Sequence, residues 1–360
     1  MPVKADAYGH GALHIAKAAL NSGVEYLAVA TVGEGKELRD GGILSPIILL
    51  SLVLPEEIDA LIAADLEPLV SDTEYIEILE RSAAKAGKKV PVHLKVDTGM
   101  GRIGCKPEEA AGLAVTIAKS KNLDMAGTAT HLAVSDSPDS GDIAYTKNQL
   151  DSFSTAVENI KKAGIDPGIV HAANTGGVTF HNDSWFDMVR PGILLYGYSP
   201  QDQDGEAALA VKPIMELQSA ITLIKNVKKG QAISYGRTWT AGEDTFIGTI
   251  PLGYADGLSR LLSNNWKIAL GTKNQAALNQ SEGKLRPLAG RICMDQCMVD
   301  LGRENTARRW DPVTIFGGLA PHAGIMAAAL NTIPYEITCN INKRVPRIYT
   351  DQQNIEYTLN

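Results

Sequence analysis

The feature that most constrains this chain is an alternation of short apolar runs with longer helical patterns through residue 190. The apolar runs fall at residues 2–4, 25–31, 46–51, 67–70, 91–97, 125–133, 168–174 and 186–190. Helix-like stretches lie between them, among them 12–22, 73–86, 107–120 and 144–163. Asp72 stands where a helix needs a capping oxygen, and Gly23, Gly87 and Gly164 stand where helices need to stop. Strands separated by helices pair in parallel, because the chain must cross over before it runs again in the same direction. Eight such repeats predict an α/β barrel of the TIM type, (β/α)8. An open doubly wound sheet shares the alternation, but its usual G-x-G-x-x-G turn after the first strand is absent.

Beyond about residue 200 the texture changes. Residues 201–206 form a polar linker, and strand-like runs follow at 215–227, 231–234, 245–252, 267–270, 296–301 and 311–316. One helix is predicted at 322–330, and residues 276–284 read as a polar loop. The expected organisation is a barrel over 1–205 followed by a mainly β domain over 206–360. A chain of 360 residues suits one large domain and one smaller one. Its net charge of −7 disfavours nucleic acid and anionic membranes, which reward a basic face. Four cysteines without a CxxC pair argue against a disulfide framework and suit the cytoplasm. No apolar run is long enough to span a bilayer, no signal peptide is seen, and no His/Asp/Glu spacing argues for a metal.

Barrel chemistry gathers at the C-terminal ends of the strands. There the chain places Lys4 and Tyr8 after the first run, and Lys95, Asp97 and Arg102 after the fifth. His131 closes the sixth run, His171–Gly177 the seventh, and Arg190-Pro-Gly-Ile193 the eighth. One such residue is ordinary at a strand end, but cations and Gly/Thr turns on every one of these ends are not. A lysine there can hold an aldehyde cofactor as a Schiff base. The turns Asn174-Thr-Gly-Gly177 and Pro191-Gly-Ile193 can offer backbone N–H groups to its phosphate, helped by Thr175 or Tyr8.

The string Val3-Lys-Ala-Asp-Ala-Tyr-Gly-His-Gly11 resembles the pyridoxal 5'-phosphate (PLP) lysine segment of alanine racemases. Segments 93–104, 171–177, 252–257 and 290–296 are similar to that family too, as are Pro334-Tyr-Glu336 and Arg344-Val-Pro-Arg347. Together they cover nearly the whole chain in the family's order. The resemblance implies a PLP-binding barrel, a β domain and a head-to-tail homodimer. It implies Lys4 as the Schiff-base lysine and one catalytic base, with Tyr254 as the second base, reaching the other subunit's cofactor. Tyr8, Asn174, Thr175, Gly192, Ile193 and Tyr335 are then cofactor contacts, and Arg190 faces the pyridine nitrogen. Arg102 contacts cofactor and substrate, His131 partners the tyrosine, and Met294 and Asp295 come from the opposite subunit. In relatives the lysine matching Lys95 is often carbamylated; a plain lysine paired with Asp97 is the alternative.

The activity implied is interconversion of L- and D-alanine, which supplies D-alanine for peptidoglycan in bacteria. Removing a proton from one face of Cα and returning it to the other calls for two bases. Neighbouring cations should bring a lysine and a tyrosine toward working pH. A serine or broader amino-acid racemase, a PLP-binding barrel without catalysis, and a PLP decarboxylase share parts of this pattern. Tyr335 favours a small side chain, Tyr254 favours catalysis, and Arg190 in place of an acid disfavours decarboxylation. Relatives carry a leading segment ahead of the matching lysine, so an N-terminally shortened barrel is expected, with an incomplete first strand and an exposed apolar patch beside it.

Overall fold

Six of the eight apolar runs become the strands of one parallel sheet. The structure, a computed structural model, describes residues 1–200, 209–272, 283–350 and 356–358. It divides into two compact units, Met1–Leu195 with Ser199–Val211, and Tyr196–Tyr198 with Lys212–Asn360. The expected boundary at 205/206, the linker and most of the 276–284 loop lie outside the described residues.

In the first unit the left-handed turn α1 (Lys4–Tyr8) and helix α2 (Ala12–Asn21) precede β1 (Leu27–Val29), α3 (Val32–Asp40), β2 (Ile47–Leu49), α4 (Ile58–Ala63) and β3 (Glu67–Val70). Then come α5 (Thr73–Ala86), β4 (Val90–Lys95), α6 (Ala110–Lys119), β5 (Leu123–Ala129), α7 (Ser140–Lys162), β6 (Ile169–His171) and α8 (Thr175–Phe180). The strands pair in parallel in the order β1-β2-β3-β4-β5-β6. Caps define the helices as their chemistry demands. Asp72 accepts from Tyr75 N, and Thr31 and Glu34 form a capping box on α3. Asp139 caps α7 through Gly141 N and Asp142 N.

The two outermost predicted strands are reduced to isolated hydrogen bonds. Pro2 bridges Ala28 alone, flanked by Ala28 N to Met1 O at 2.9 Å and Val3 N to Ala28 O at 2.8 Å. Residues 186–190 form no strand, because Phe186 has φ 46° and leaves the β region. They still follow β6 through Asp187 N to Val170 O at 3.0 Å and Arg190 N to Ala173 O at 2.8 Å. The ends of the series meet where Tyr8 Oη comes within 2.7 Å of the position a Cβ would take on Gly192. The expected apolar exposure is not found at the first segment: Val3, Ala7, Tyr8 and all of β1 are buried.

Side chains alternate between the two faces of a strand. The register Leu69↔His93, His93↔Gly127, Lys95↔Ala129 and Ala129↔His171 therefore puts Glu67, Leu69, His93, Lys95, Gly127, Ala129 and His171 on one face. That face is the inside, where Ala28, Ile48, Leu69 and Ala129 pack together. The interior is thus apolar at one level and polar beside it.

The second unit is mainly β. Strands β7 (Leu217–Ala220), β8 (Leu223–Val227), β9 (Ala232–Ile233), β10 (Trp239–Thr240), β11 (Thr245–Ile250) and β12 (Lys267–Leu270) come first. They are followed by β13 (Leu285–Pro287), β14 (Cys297–Gly302), β15 (Pro312–Phe316), α9 (Ala323–Ala329), α10 (Pro334–Cys339), β16 (Ile348–Thr350) and β17 (Glu356–Thr358). Two antiparallel sheets carry the unit, ordered β14-β11-β8 and β13-β12-β15-β7. The single run predicted at 215–227 breaks into β7 and β8, which join different sheets. Helix α10 was not expected; its proline at the start is a signal that fits the first helical turn.

Gly127 marks a close approach within the barrel. A Cβ there would lie 2.4 Å from His93 Nδ1 and 2.6 Å from the backbone oxygen of Ile169. Gly127→Ala is expected to cost about 1–3 kcal/mol of stability by overpacking. Gly112→Ala, with nothing within 4 Å, should be neutral or stabilising by up to about 1 kcal/mol. Urea midpoints decide; equal midpoints for the two variants would refute the crowding at Gly127.

Candidate active site

Lys4 opens a backbone that L-residues rarely adopt. Ala5, Asp6, Ala7 and Tyr8 have φ between 51° and 54°, a full left-handed turn. Each such residue costs about 1–2 kcal/mol, so the surroundings must hold the turn in place. Ala5 N donates to Glu34 Oε1 at 2.7 Å, and Ala12 N to Asp6 Oδ1 at 2.8 Å. The second oxygen of Glu34 accepts from Ala30 N at 2.8 Å. One carboxylate therefore ties the lysine's turn to the end of β1 and the start of α3. Gly9 and Gly11, at φ 82° and 93°, carry the chain out of the turn.

The inward-facing cations lie on neighbouring segments. Arg190 is buried, and its guanidinium donates to Thr130 O at 2.7 Å, Ala172 O at 3.0 Å and His171 Nδ1 at 2.5 Å. Burial pushes its pKa down to about 10, so it stays charged at neutral pH. Lys95 is buried as well and donates to Val96 O at 3.1 Å. Burial, helped by the charges of Arg190 and Arg102, pushes its pKa down to about 7. Burial and then Arg190, Lys95, Arg102 and Lys4 together hold His131 well below the usual imidazole range. His171 is driven the same way by burial, Arg190, His93 and Lys95. Four separated segments thus bring Lys4, Lys95 with Arg102, His131 and Arg190 into one electrostatic neighbourhood. Arg102 itself is exposed, on a turn whose backbone bonds Asp97 Oδ1 through Gly99 N and Gly101 N, both at 3.0 Å.

Hydroxyls and backbone converge beside this cluster. Gly192 N donates to Thr175 Oγ1 at 3.0 Å. The space a Cβ of Gly192 would fill is bounded by Tyr8 Oη at 2.7 Å and Thr175 Oγ1 at 4.0 Å. Asn174 caps α8 by accepting from Gly177 N at 3.0 Å, and its own amide donates to Leu132 O at 3.1 Å. Ile193, next to Gly192, is buried. Two hydroxyls around a backbone with no side chain make a donor set that suits a phosphate group.

In the second unit, segments 253–257 and 290–296 are locked together. Tyr254 N donates to Cys293 O and Ala255 N to Met294 O, both at 3.0 Å. A Cβ on Gly253 would meet Met294 O at 2.2 Å, so only glycine fits. Arg344 Nε reaches Asp256 Oδ1 at 2.7 Å and its Nη2 reaches Asp295 Oδ1 at 2.8 Å. The structure therefore brings Tyr254, Met294 and Asp295 together from motifs some forty residues apart. Tyr254 is 43 % exposed and Met294 55 %, so both present side chains outward. Tyr335 lies half-buried on α10.

Two interior residues, Glu67 and His93, carried no site assignment in the sequence, and they join the predicted strand-end residue His171. His93 Nε2 lies 2.9 Å from Glu67 Oε2, and His93 Nδ1 lies 3.0 Å from His171 Nε2. Their signal was the period of two: Glu67, His93 and Lys95 share parity with the inward positions of apolar strands. Glu34 was overlooked too, because no residue pattern announces a left-handed turn of alanines.

The model for the alanine racemase N-terminal domain matches residues 1–200, and that for the C-terminal domain matches residues 214–349. The chain belongs to the alanine racemase family. It is 50 % identical to an alanine racemase of Treponema denticola over 358 residues, covering 98 % of this chain and 91 % of that one. Among solved structures, an alanine racemase of Clostridium difficile matches with a TM-score of 0.91 at 35 % identity, covering 100 % of this chain and 90 % of that one. An alanine racemase of Bacillus anthracis with bound L-Ala-P matches with a TM-score of 0.89 at 30 % identity, over 100 % and 90 % of the two chains. This family member has the family's parallel barrel and mainly β second unit. Among its described residues no helix is long and apolar enough to cross a membrane.

The neutral histidines give a signed pH effect. Below the ordinary value of 6.5 the unfolded chain takes up protons that the native His131 and His171 refuse. Stability therefore falls as pH drops below 6.5, until the depressed native values are reached. His171→Gln should lower stability overall yet flatten this slope, as read from urea unfolding between about pH 7 and pH 5. A slope unchanged by the substitution would contradict the assignment.

Proposed function

We propose that this chain is a PLP-dependent alanine racemase, with Lys4 and Tyr254 as its two bases. The observation that carries the reading is the cation cluster around Lys4 beside the Tyr8–Thr175–Gly192 cradle. That cradle is shaped for a phosphate, and Lys4 stands on the adjoining turn, as a Schiff-base lysine must. The chemistry PLP supplies when bound is electron withdrawal from the substrate's Cα, which acidifies the Cα proton.

The chain's own residues do the rest. Tyr8, Thr175, Gly192 and Ile193 hold the phosphate end, with Asn174 shaping the turn and Tyr335 as a further contact. Lys4 Nζ and Tyr254 Oη carry the proton away from and back to Cα on opposite faces, which a single rigid base cannot serve. His131, neutral in its cationic surroundings, keeps one ring nitrogen bare as an acceptor and so can orient the tyrosine's hydroxyl. Arg102 supplies a positive charge for the substrate carboxylate. Arg190, which keeps its proton, would face the pyridine nitrogen only as a donor, an arrangement that would favour racemisation over transamination.

Tyr254, Met294 and Asp295 belong to a second copy's site in this reading. The outward exposure of Tyr254 and Met294 supports a head-to-tail homodimer. Alanine is the substrate favoured over serine, peptidoglycan supply is the physiological role, and the cytoplasm is the compartment. At a pKa of about 7 a good part of Lys95 is a neutral amine at physiological pH, and carbamate formation needs that form. A carbamate would turn a cation wedged against Arg190 and Arg102 into an anion that attracts both.

With PLP added, the chain should convert L-alanine to D-alanine, Lys4→Ala should abolish conversion, and Tyr254→Phe should slow it by about a hundredfold or more. Mixing Lys4→Ala with Tyr254→Phe chains should restore activity, because each mixed dimer holds one native site. No restoration would overturn the shared site. Arg190→Glu should raise transamination relative to racemisation; an unchanged product ratio would refute the role given to Arg190. Carbon NMR with labelled bicarbonate should show a Lys95 carbamate that grows as pH rises through about 7; no such signal would leave the plain lysine.

A further inference from the structure

The polar layer inside the barrel is a single chain of hydrogen bonds that runs across four segments. Arg190 follows β6, His171 ends it, His93 lies on β4 and Glu67 begins β3. The contacts are Arg190 Nη1 to His171 Nδ1 at 2.5 Å, His171 Nε2 to His93 Nδ1 at 3.0 Å, and His93 Nε2 to Glu67 Oε2 at 2.9 Å. Both imidazoles are fully buried, Glu67 is 9 % exposed, and the two rings meet edge to face at 5.1 Å. Strand β5 passes between the two histidines, and Gly127 leaves the gap through which they touch.

The proton positions in this chain are not free. A guanidinium has donors only. His171 Nδ1 must therefore be a bare acceptor, which leaves its proton on Nε2. That N–H needs an acceptor, so His93 Nδ1 is bare and the proton of His93 lies on Nε2. This in turn requires an accepting oxygen at Glu67. The reverse direction fails at once: a proton on His93 Nδ1 would put a proton on His171 Nδ1, against an N–H of Arg190. Protonating either ring has the same effect. Only one arrangement satisfies all three bonds, and its far end is a carboxylate.

We infer that Glu67 is a positioning residue for Arg190, acting through His93 and His171 by fixing the proton of both imidazoles on Nε2. The inference deepens the function proposed above and rests on its reading of Arg190. Remove the acceptor at Glu67 and His93 can turn or take the other tautomer. The His171 tautomer is then set from the Arg190 end alone, and a His93 that turns its N–H toward His171 competes with the one contact Arg190 makes to something other than a backbone carbonyl. The groups facing the chain from outside it are Lys95 at the His171 end, the Met1 amine beside Arg190, and Tyr26 and Arg39 at the Glu67 end. None of them is hydrogen-bonded to Glu67, so none replaces it.

Two variants separate acceptor from charge. Glu67→Gln keeps an accepting oxygen without the charge; Glu67→Leu removes the acceptor. Nitrogen NMR of histidine-labelled protein reads each tautomer directly, with or without PLP, with His93 and His171 assigned by single substitutions. The wild-type chain should show both as neutral Nε2–H rings at pH 7. Glu67→Gln should preserve this pattern and keep kcat within about threefold, while Glu67→Leu should lose the single His171 tautomer and lower kcat about ten- to a hundredfold with little change in KM. An Nδ1–H tautomer in the wild type overturns the inference even if no variant folds. A fall in kcat without a change at His171, or a change at His171 without a fall in kcat, overturns it as well. A wild-type chain that racemises nothing would count against the proposed function, and the tautomers would still report on the relay.

Discussion

A guanidinium enclosed in a barrel can neither shed its proton nor go without acceptors, and the interior of this barrel is arranged around that constraint. Arg190 is buried and meets two carbonyls and one imidazole. Its charge, together with burial, lowers the proton affinity of Lys95, His131 and His171. All three groups are thereby biased toward their neutral forms. Burial of one charge thus sets the state of the titratable groups around it. Replacing Arg190 by an apolar residue would change all of them at once, not one contact.

Much of the barrel was legible because period and punctuation agree. The run 67–70 became β3 and 73–86 became α5, each bounded by a cap, a glycine or both. The last run, 186–190, misled because its apolar content is real but Phe186 takes a left-handed backbone that composition does not reveal. The run 215–227 misled for another reason: pattern cannot show that a chain switches sheets between Ala220 and Leu223. Lys4, Lys95, Arg102, His131, Arg190 and the Gly/Thr turns were marked by their place after barrel runs, whereas the candidates Tyr254, Met294, Asp295 and Tyr335 were legible only through resemblance to the alanine racemases. The interior relay of Glu67, His93 and His171 was hidden because its logic lies in register across strands. Parity alone marks these residues as inward, and nothing along the chain says that they touch.

Backbone crowding does as much as side chains to shape the candidate segments of each unit. Gly192 leaves room for two hydroxyls, and Gly253 lets the chain press against the carbonyls of Cys293 and Met294. The turn at Ala5–Tyr8 goes further, because residues with side chains are held where glycine would be easier. Gly9 and Gly11 only release the chain from it. What keeps Ala5 and Asp6 in place is two carboxylates, from Glu34 and from Asp6 itself, receiving backbone N–H groups. Local preference is overruled there by contacts some thirty residues away.

Gly127 has a further meaning for descent. The volume its missing side chain leaves is filled by a ring from the neighbouring strand, so positions 93, 127 and 171 share one space. A larger residue at 127 would have to displace both the His93 ring and the backbone oxygen of Ile169, so a change at His93 alone does not free the position. The three positions should therefore be inherited as a unit, with mixed combinations passing only briefly through the history of the fold. Substituting any one of them singly tests a combination that lineage had no reason to keep.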